Sequence, residues 1–397
     1  MISSALPVRP RVLVVDDSDL ARDLIVRGLS LDPGLDVVGQ AADVYDARDK
    51  IVSLLPDVVT LDVEMPRMDG IEFLRRLMPQ YPLPVIVVSA FTAEGSRRAY
   101  EALEAGAVDI VGKPRANDSS GLKDMLLELA SKVKLASAID KRKLAGSVFS
   151  RAKQAASSPL PAGGMSPRPA HGACPDARPR GKPAAQEGGW SKPLPEWKPG
   201  SPPCIVAIGA STGGVAAVSR IVSALPADSP PIVIVQHMPA TFTRLFAQSL
   251  DRSSAMVVRE AADGQRLVPG AAFIGPGDFH LRVLRDASGY ILRCEAGEKV
   301  SGHRPSVDVL FESVAKAAAS RAIGLLLTGM GRDGADGLLA MRRAGAVCLA
   351  QDEESSVVFG MPQEAWRIGA AERLVPLERA AAELMRASAS ISRQGDA

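Results

Sequence analysis

Short β-branched runs alternate with amphipathic stretches twice along this chain, and that rhythm restricts each stretch to a parallel sheet flanked by helices. In the first, over residues 11–135, Arg11–Val15, Leu35–Ala41, Val58–Leu61, Val85–Val88 and Val108–Val111 read as strands. The segments between them, such as Leu20–Leu29 and Gly70–Met78, read as helices. Parallel neighbours need right-handed crossovers, so five such alternations predict a doubly wound (βα)5 sheet. The rhythm returns at Cys204–Ile208 and continues through Ile232–Val235, Met256–Val258, Ile323–Leu327 and Ala346–Leu349. Ala271–Ile274, His280–Leu284 and Tyr290–Cys294 follow one another through Gly- and Asp-containing turns, which predicts an antiparallel hairpin added to this second parallel sheet. The expected fold is α/β, with two doubly wound parallel-sheet domains.

Composition separates the two. Residues 141–200 collapse into Pro, Gly, Ala, Ser and basic residues, too poor in apolar area to offset chain entropy, and are expected to form a disordered linker. They hold 11 Lys or Arg against 3 Asp or Glu, a surplus of 8 that leaves the rest of the +2 chain at −6. A near-neutral total with its positive charge in a tether argues against a nucleic-acid binder. Cys174, Cys204, Cys294 and Cys348 are widely spaced and without a CxxC pair, as reduced thiols are. Met1 to Pro10 lack an apolar signal core, and no apolar run approaches the ~18 residues of a membrane span, so a cytoplasmic protein without membrane insertion is expected.

An open parallel sheet lines up the carboxyl ends of its strands along one edge, where α/β folds keep their sites. Asp16 and Asp17 end the first predicted strand, Asp62 the third and Ser89 the fourth, and Lys113-Pro114 follows the fifth. Carboxylates gathered there are costly unless a cation joins them, and a hard, oxygen-seeking Mg2+ suits Asp16, Asp17 and Asp62. Asp62 is then the candidate nucleophile for phosphoryl transfer, with Lys113 and the Ser89 hydroxyl meeting phosphate oxygens. These residues, with Met65-Pro66 and Asp69-Gly70, closely resemble the receiver domain of two-component response regulators over about 11–135. The resemblance implies phosphorylation by a histidine kinase. Ile110, three before Lys113, occupies the place where many receivers carry an aromatic switch residue.

The second stretch carries a serine, a histidine and an aspartate, each where an apolar run breaks into Gly or Pro. They lie in Gly209-Ala210-Ser211-Thr212-Gly213-Gly214, Val235-Gln236-His237-Met238-Pro239 and Thr328-Gly329-Met330-Gly331-Arg332-Asp333-Gly334-Ala335. G-x-S-x-G alone fits either an exposed serine nucleophile or a loop cradling phosphate at a helix N-terminus. His237 after an apolar strand supplies a base suited to the Ser211 proton, and Asp333 can fix its tautomer; a phosphate loop needs neither. The order Ser…His…Asp differs from the common hydrolase orders. Of the other histidines, His171 lies in the linker and His280 falls in the predicted hairpin, where a surface or turn role fits. His303, in Gly302-His303-Arg304-Pro305, could line a cleft or make a loop hydrogen bond.

These motifs, with Gly275-Pro276-Gly277-Asp278 and Pro305-Ser306-Val307-Asp308-Val309-Leu310-Phe311, closely resemble the chemotaxis protein-glutamate methylesterase/glutaminase (CheB) family over about 203–385, within an expected catalytic domain of 203–390. The resemblance implies Ser211 as nucleophile, His237 as base and Asp333 as its orienter, with the Met330 backbone N–H in the oxyanion hole and Thr212 supporting the site. It also implies methyl-accepting chemoreceptors as substrate, no cofactor for the esterase, and a receiver that covers the cleft until phosphorylated. A flexible tether of ~55 residues spans roughly 40 Å, enough for the receiver to dock or leave.

Overall fold

A computed structural model of the 397-residue chain describes residues 9–65, 69–90, 92–114, 119–141, 144, 190–196 and 204–395. The N-terminal unit is a five-stranded sheet of order β2-β1-β3-β4-β5. Its strands are β1 (Arg11–Val15), β2 (Asp36–Ala41), β3 (Val58–Leu61), β4 (Val85–Ala90) and β5 (Asp109–Lys113), all parallel. Helices α1 (Asp19–Ser30), α2 (Val44–Leu54), α3 (Gly70–Gln80), α4 (Ala93–Glu104) and α5 (Ser119–Ser137) alternate with them, as the (βα)5 reading expects. Val12 to Val15 and Val85 to Val88 are buried throughout because helices cover both faces. Ser18, Asp43, Asp69 and Thr92 each accept a backbone N–H of the helix that follows, which ends the loop and starts the helix at a set residue. Lys113 closes β5 itself, rather than following it.

The second unit is a seven-stranded parallel sheet of order β14-β13-β12-β6-β7-β9-β8. Its strands are β6 (Ile205–Ala210), β7 (Ile232–Gln236), β8 (Val257–Glu260), β9 (Ala271–Ile274), β12 (Ala322–Leu326), β13 (Val347–Gln351) and β14 (Arg373–Val375). Helices α6 (Gly214–Ala224), α7 (Ala240–Ser253), α8 (Val307–Ala318), α9 (Ala335–Arg343), α10 (Met361–Arg367) and α11 (Leu377–Gly395) complete it. The hairpin is present as β10 (His280–Asp286) and β11 (Gly289–Glu295), but it forms its own two-stranded sheet. β9 already has parallel partners on both sides, so it offers the hairpin no edge. The hairpin leans instead on α8, where Val283 N–H donates to Ser313 Oγ at 2.9 Å.

Part of the stretch expected to be disordered is built into this unit. Trp190 lies under the guanidinium groups of Arg244 and Arg259, at 5.7 and 4.6 Å from its ring centre. Ser191 donates from N and Oγ to Asp251 at 2.8 and 2.6 Å. Lys192 Nζ donates to the carbonyls of Asp251, Ser254 and Met256, at 2.5, 2.6 and 2.9 Å, just where α7 ends. One aromatic and one cation thus find specific partners that an average over a Pro-rich background conceals. The rest of the expected linker, with His171 and Cys174, lies outside the described residues, apart from Lys141, Leu144 and residues 193–196.

The two units touch. Tyr100 of α4 meets Phe246 of α7 with ring centres 6.3 Å apart, and Ser249 Oγ donates to Glu104 at 2.7 Å. Cys204, Cys294 and Cys348 are free, and burial pushes the Cys294 and Cys348 thiols up to about 12. Among the described residues no helix is long and apolar enough to cross a membrane.

Candidate active site

Strands β12, β6 and β7 are adjacent at the centre of the larger sheet, and chain order reverses about β6. The crevice at such a reversal is where open α/β sheets bind ligands. Ser211 follows β6, His237 follows β7, and Asp333 closes the loop after β12, so the topology brings all three to one place. Ser211 N–H donates to Thr328 C=O at 3.0 Å, and Gly214 N–H to Ser211 C=O at 2.7 Å, which pins the serine in a tight turn. Gly213 sits at φ 77 and a Cβ there would meet Val357 at 2.7 Å, so the turn requires glycine. Gln236 staples the two loops: its amide donates to the carbonyls of Ser211 and His237, at 2.9 and 3.1 Å.

His237 Nε2 lies 2.7 Å from Asp333 Oδ2. A carboxylate accepts, so the proton sits on Nε2 and Nδ1 carries the free lone pair. That Nδ1 is buried and has no hydrogen-bond partner among the described residues, Ser211 included. The ring thus presents the opposite nitrogen from the one used when Nδ1 holds the aspartate. Asp333 also accepts Ser306 Oγ (2.7 Å), Val307 N–H (2.7 Å) and Asp308 N–H (3.1 Å) at the start of α8. Burial alone would raise its pKa; the His237 bond, with those from Ser306 and Val307, outweighs burial and holds it below the usual range. Its neighbour Asp308 is pushed up, first by burial and then by the Asp333 charge.

Gly329 C=O accepts from Gly360 N–H (3.1 Å) and Met361 N–H (2.8 Å) at the start of α10. The C=O and N–H of one trans peptide point in opposite directions, so the Met330 N–H is turned away from α10. A Cβ on Gly329 would meet Ser211 Cβ at 2.7 Å, so this peptide lies against the serine. Thr212 Oγ1 reaches across the boundary between the units and donates to Asp109 of β5 at 2.7 Å.

At the carboxyl edge of the smaller sheet, ligand oxygens of Asp16, Asp17 and Asp62 all lie within 4.8 Å of one another. An all-oxygen set this close fits a hard divalent cation. Lys113 Nζ bridges Asp16 and Asp62, at 2.7 and 2.5 Å. Burial raises the Asp16 pKa against the pull of Lys113; burial lowers Lys113, but Asp62 and Asp16 outweigh it and leave the ammonium raised. Ser89 is buried within β4, and its hydroxyl donates to Gly95 C=O at 3.1 Å. Ile110 is buried. Pro66 lies outside the described residues.

Residues 206–384 match the CheB methylesterase family model and residues 12–124 the response regulator receiver domain model. A protein-glutamate methylesterase/protein-glutamine glutaminase of Syntrophotalea carbinolica is 50% identical over 382 residues, covering 96% of this chain and 98% of the relative. The chain belongs to the protein-glutamate methylesterase/protein-glutamine glutaminase family. A second member, from Caulobacter vibrioides, is 48% identical over 92% of this chain and 94% of its own length. The solved CheB methylesterase catalytic domain of Thermotoga maritima is 38% identical, covering 46% of this chain and 98% of that one, with a TM-score of 0.46.

Around this methylesterase-type site lie residues whose importance the motifs do not announce. His280 is buried rather than at the surface: Nδ1 accepts Ser306 N–H at 3.3 Å and Nε2 meets Glu298 C=O at 2.7 Å. It therefore steadies the residue that in turn holds Asp333. His303 stacks on His237. Gln236 is visible in sequence only as a polar residue closing an apolar strand. Asp109 carries no signal at all, because its partner Thr212 is 103 residues away.

Proposed function

We propose that this chain hydrolyses glutamyl γ-methyl esters on methyl-accepting chemoreceptors, releasing methanol, and deamidates specific receptor glutamines at the same site. His237 Nδ1 takes the Ser211 proton as Oγ attacks the side-chain carbonyl carbon. Asp333 holds the tautomer and stabilises the imidazolium. The Met330 N–H donates to the developing oxyanion, a contribution typically worth several kcal/mol of barrier. Collapse breaks the bond to the methoxy oxygen or amide nitrogen, which takes the proton from Nδ1 and leaves as methanol or ammonia. A water, deprotonated by the same nitrogen, then cleaves the seryl ester. Thr212 supports the loop from the residue next to the nucleophile. The observation that carries this reading is the 2.7 Å bond from His237 Nε2 to Asp333, which leaves a buried Nδ1 without a partner among the described residues, beside the serine loop.

The receiver half accepts phosphate at Asp62 from a histidine kinase, in the cytoplasm. Asp16, Asp17 and Asp62 would hold Mg2+, which when bound neutralises phosphate oxygens. Lys113 faces the same oxygens, and Ser89 joins them by releasing Gly95. In the unphosphorylated chain the receiver restrains the esterase, a reading supported by the Asp109–Thr212 bond beside the nucleophile.

Ser211→Ala tests the assignment. Methanol release from methylated receptor should fall to background in a variant with unchanged thermal unfolding. His237 and Asp333 substitutions combined with it should cost little more, since the three act as a unit. Release near the wild-type rate would reject Ser211 as nucleophile.

A further inference from the structure

His303 is not one of the three triad residues, yet its ring lies face to face with His237, centres 3.8 Å apart and planes 10° apart. The loop that presents it is tightly built. Val300 and His303 exchange two backbone hydrogen bonds, at 3.0 and 2.9 Å. Ser301 (φ 53) and Gly302 (φ 81) turn between them with the positive φ pair of a two-residue type I′ loop. Arg304, the next residue, is tied to Gly297 C=O. The loop that carries His303 is thus fixed by backbone and side-chain bonds, and Asp333 fixes the edge of His237 at Nε2.

The charged groups facing His303 are His237, Asp333, Lys132 of α5 and Lys299. Burial, and then the His237 charge, lower its pKa to about 4, against the pull of Asp333. Both influences disfavour a charge on His303. A neutral aromatic face attracts a cation lying on it, whereas two stacked imidazolium rings would repel.

We propose that His303 is a positioning residue of the esterase site: its neutral ring holds the plane of His237, so that Nε2 stays on Asp333 with Nδ1 free, and supports the imidazolium that forms when Ser211 is deprotonated. This rests on the proposed roles of Ser211 and His237.

The test compares two apolar replacements of similar bulk in the full-length protein, His303→Phe and His303→Leu, with methanol release from methylated receptor measured in the presence of a small acyl-phosphate donor. Phenylalanine keeps the flat face and should hold kcat within about threefold of wild type, whereas leucine removes it and should lower kcat about tenfold or more with KM little changed. Nitrogen-15 NMR of His237 gives the second readout. The Nε2–H tautomer should persist in wild type and His303→Phe, and mix with the other tautomer in His303→Leu. Wild-type kcat in the leucine variant, or a phenylalanine variant as slow as leucine, would overturn the proposal. His237→Ala and Ser211→Ala run beside them separate the two levels. If those two variants still release methanol, the triad reading falls, and the His303 proposal with it. If they are inactive while leucine matches wild type, the proposal about His303 fails alone.

Discussion

Asp333 accepts hydrogen bonds from four groups, and only one of them belongs to His237. The other three come from Ser306 and the first turn of α8, so the orienting carboxylate is also the anion at a helix N-terminus, where unpaired N–H groups and the helix dipole favour negative charge. Its ionisation is thereby secured before any substrate arrives. Gly329 is the counterpart on the oxyanion side. A Cβ there would meet Met361 Sδ at 2.3 Å and Ser211 Cβ at 2.7 Å. The sulfur can swing aside; the serine Cβ, fixed to a pinned backbone, cannot. Gly329→Ala should therefore push Ser211 and the Met330 peptide apart and cost roughly 100-fold in kcat, since sub-ångström misplacement at a reacting centre is expensive. Methanol release and labelling by a serine-directed phosphonate should fall together. Retention of both would mean that the close approach serves packing alone. Ser211, His237 and Asp333 could be nominated from the sequence because each follows an apolar strand, Asp333 through a Gly-rich loop. His303 and His280 could not, because a stack and a buried cap depend on loops that meet only after folding.

At the scale of elements, the central strands were readable because burial on both faces leaves a continuous apolar run. The exceptions were elements whose role depends on neighbours. β14 is three residues long and begins with Arg373, and β9 looked like the start of a meander until it took parallel partners on both sides. Trp190–Lys192 is the sharpest case: local composition says tether, but Lys192 satisfies three carbonyls at the end of α7, where a cation is favoured. The esterase unit therefore includes Trp190. Lys192→Met should remove charge-assisted bonds and cost about 1.5–3 kcal/mol in total. Trp190→Ala should cost a similar amount through its two guanidinium stacks. Denaturant unfolding followed by a probe in the esterase unit checks both, and an unchanged midpoint in both would show that the strap is not anchored in solution. A catalytic fragment should accordingly begin before Trp190; one starting at residue 204 should be the less stable.

Across the whole molecule, one strand joins the two chemistries. β5 begins at Asp109 and ends at Lys113. Lys113 lies in the acidic pocket, and Asp109, roughly 13 Å away along an extended strand, accepts the Thr212 hydroxyl next to Ser211. Lys132 holds Asp109 and the Ile110 carbonyl at 2.8 and 2.7 Å. Burial disfavours that ammonium, but Asp109 and Glu128 outweigh the penalty and keep it charged. A phosphoryl group on Asp62 would compete with Asp16 for Lys113, and any movement of β5 is felt at Thr212. A hydrogen bond to a charged carboxylate is worth about 1.5–3 kcal/mol, so losing it should shift the docking equilibrium about tenfold or more towards the open form. Asp109→Ala in the full-length chain should therefore raise the unphosphorylated demethylation rate towards the phosphorylated one, and do so equally in an Asp62→Asn background, where a phosphodonor no longer has any effect. Tyr100→Ala should act in the same direction by weakening the contact of α4 with Phe246. Trp190–Lys192 are held on the esterase unit, and deleting residues between 145 and 189 should deepen the restraint. If both interface variants leave the unphosphorylated rate unchanged while phosphorylation still raises it, the receiver does not act by covering the site, and its control must run through recruitment to the receptor.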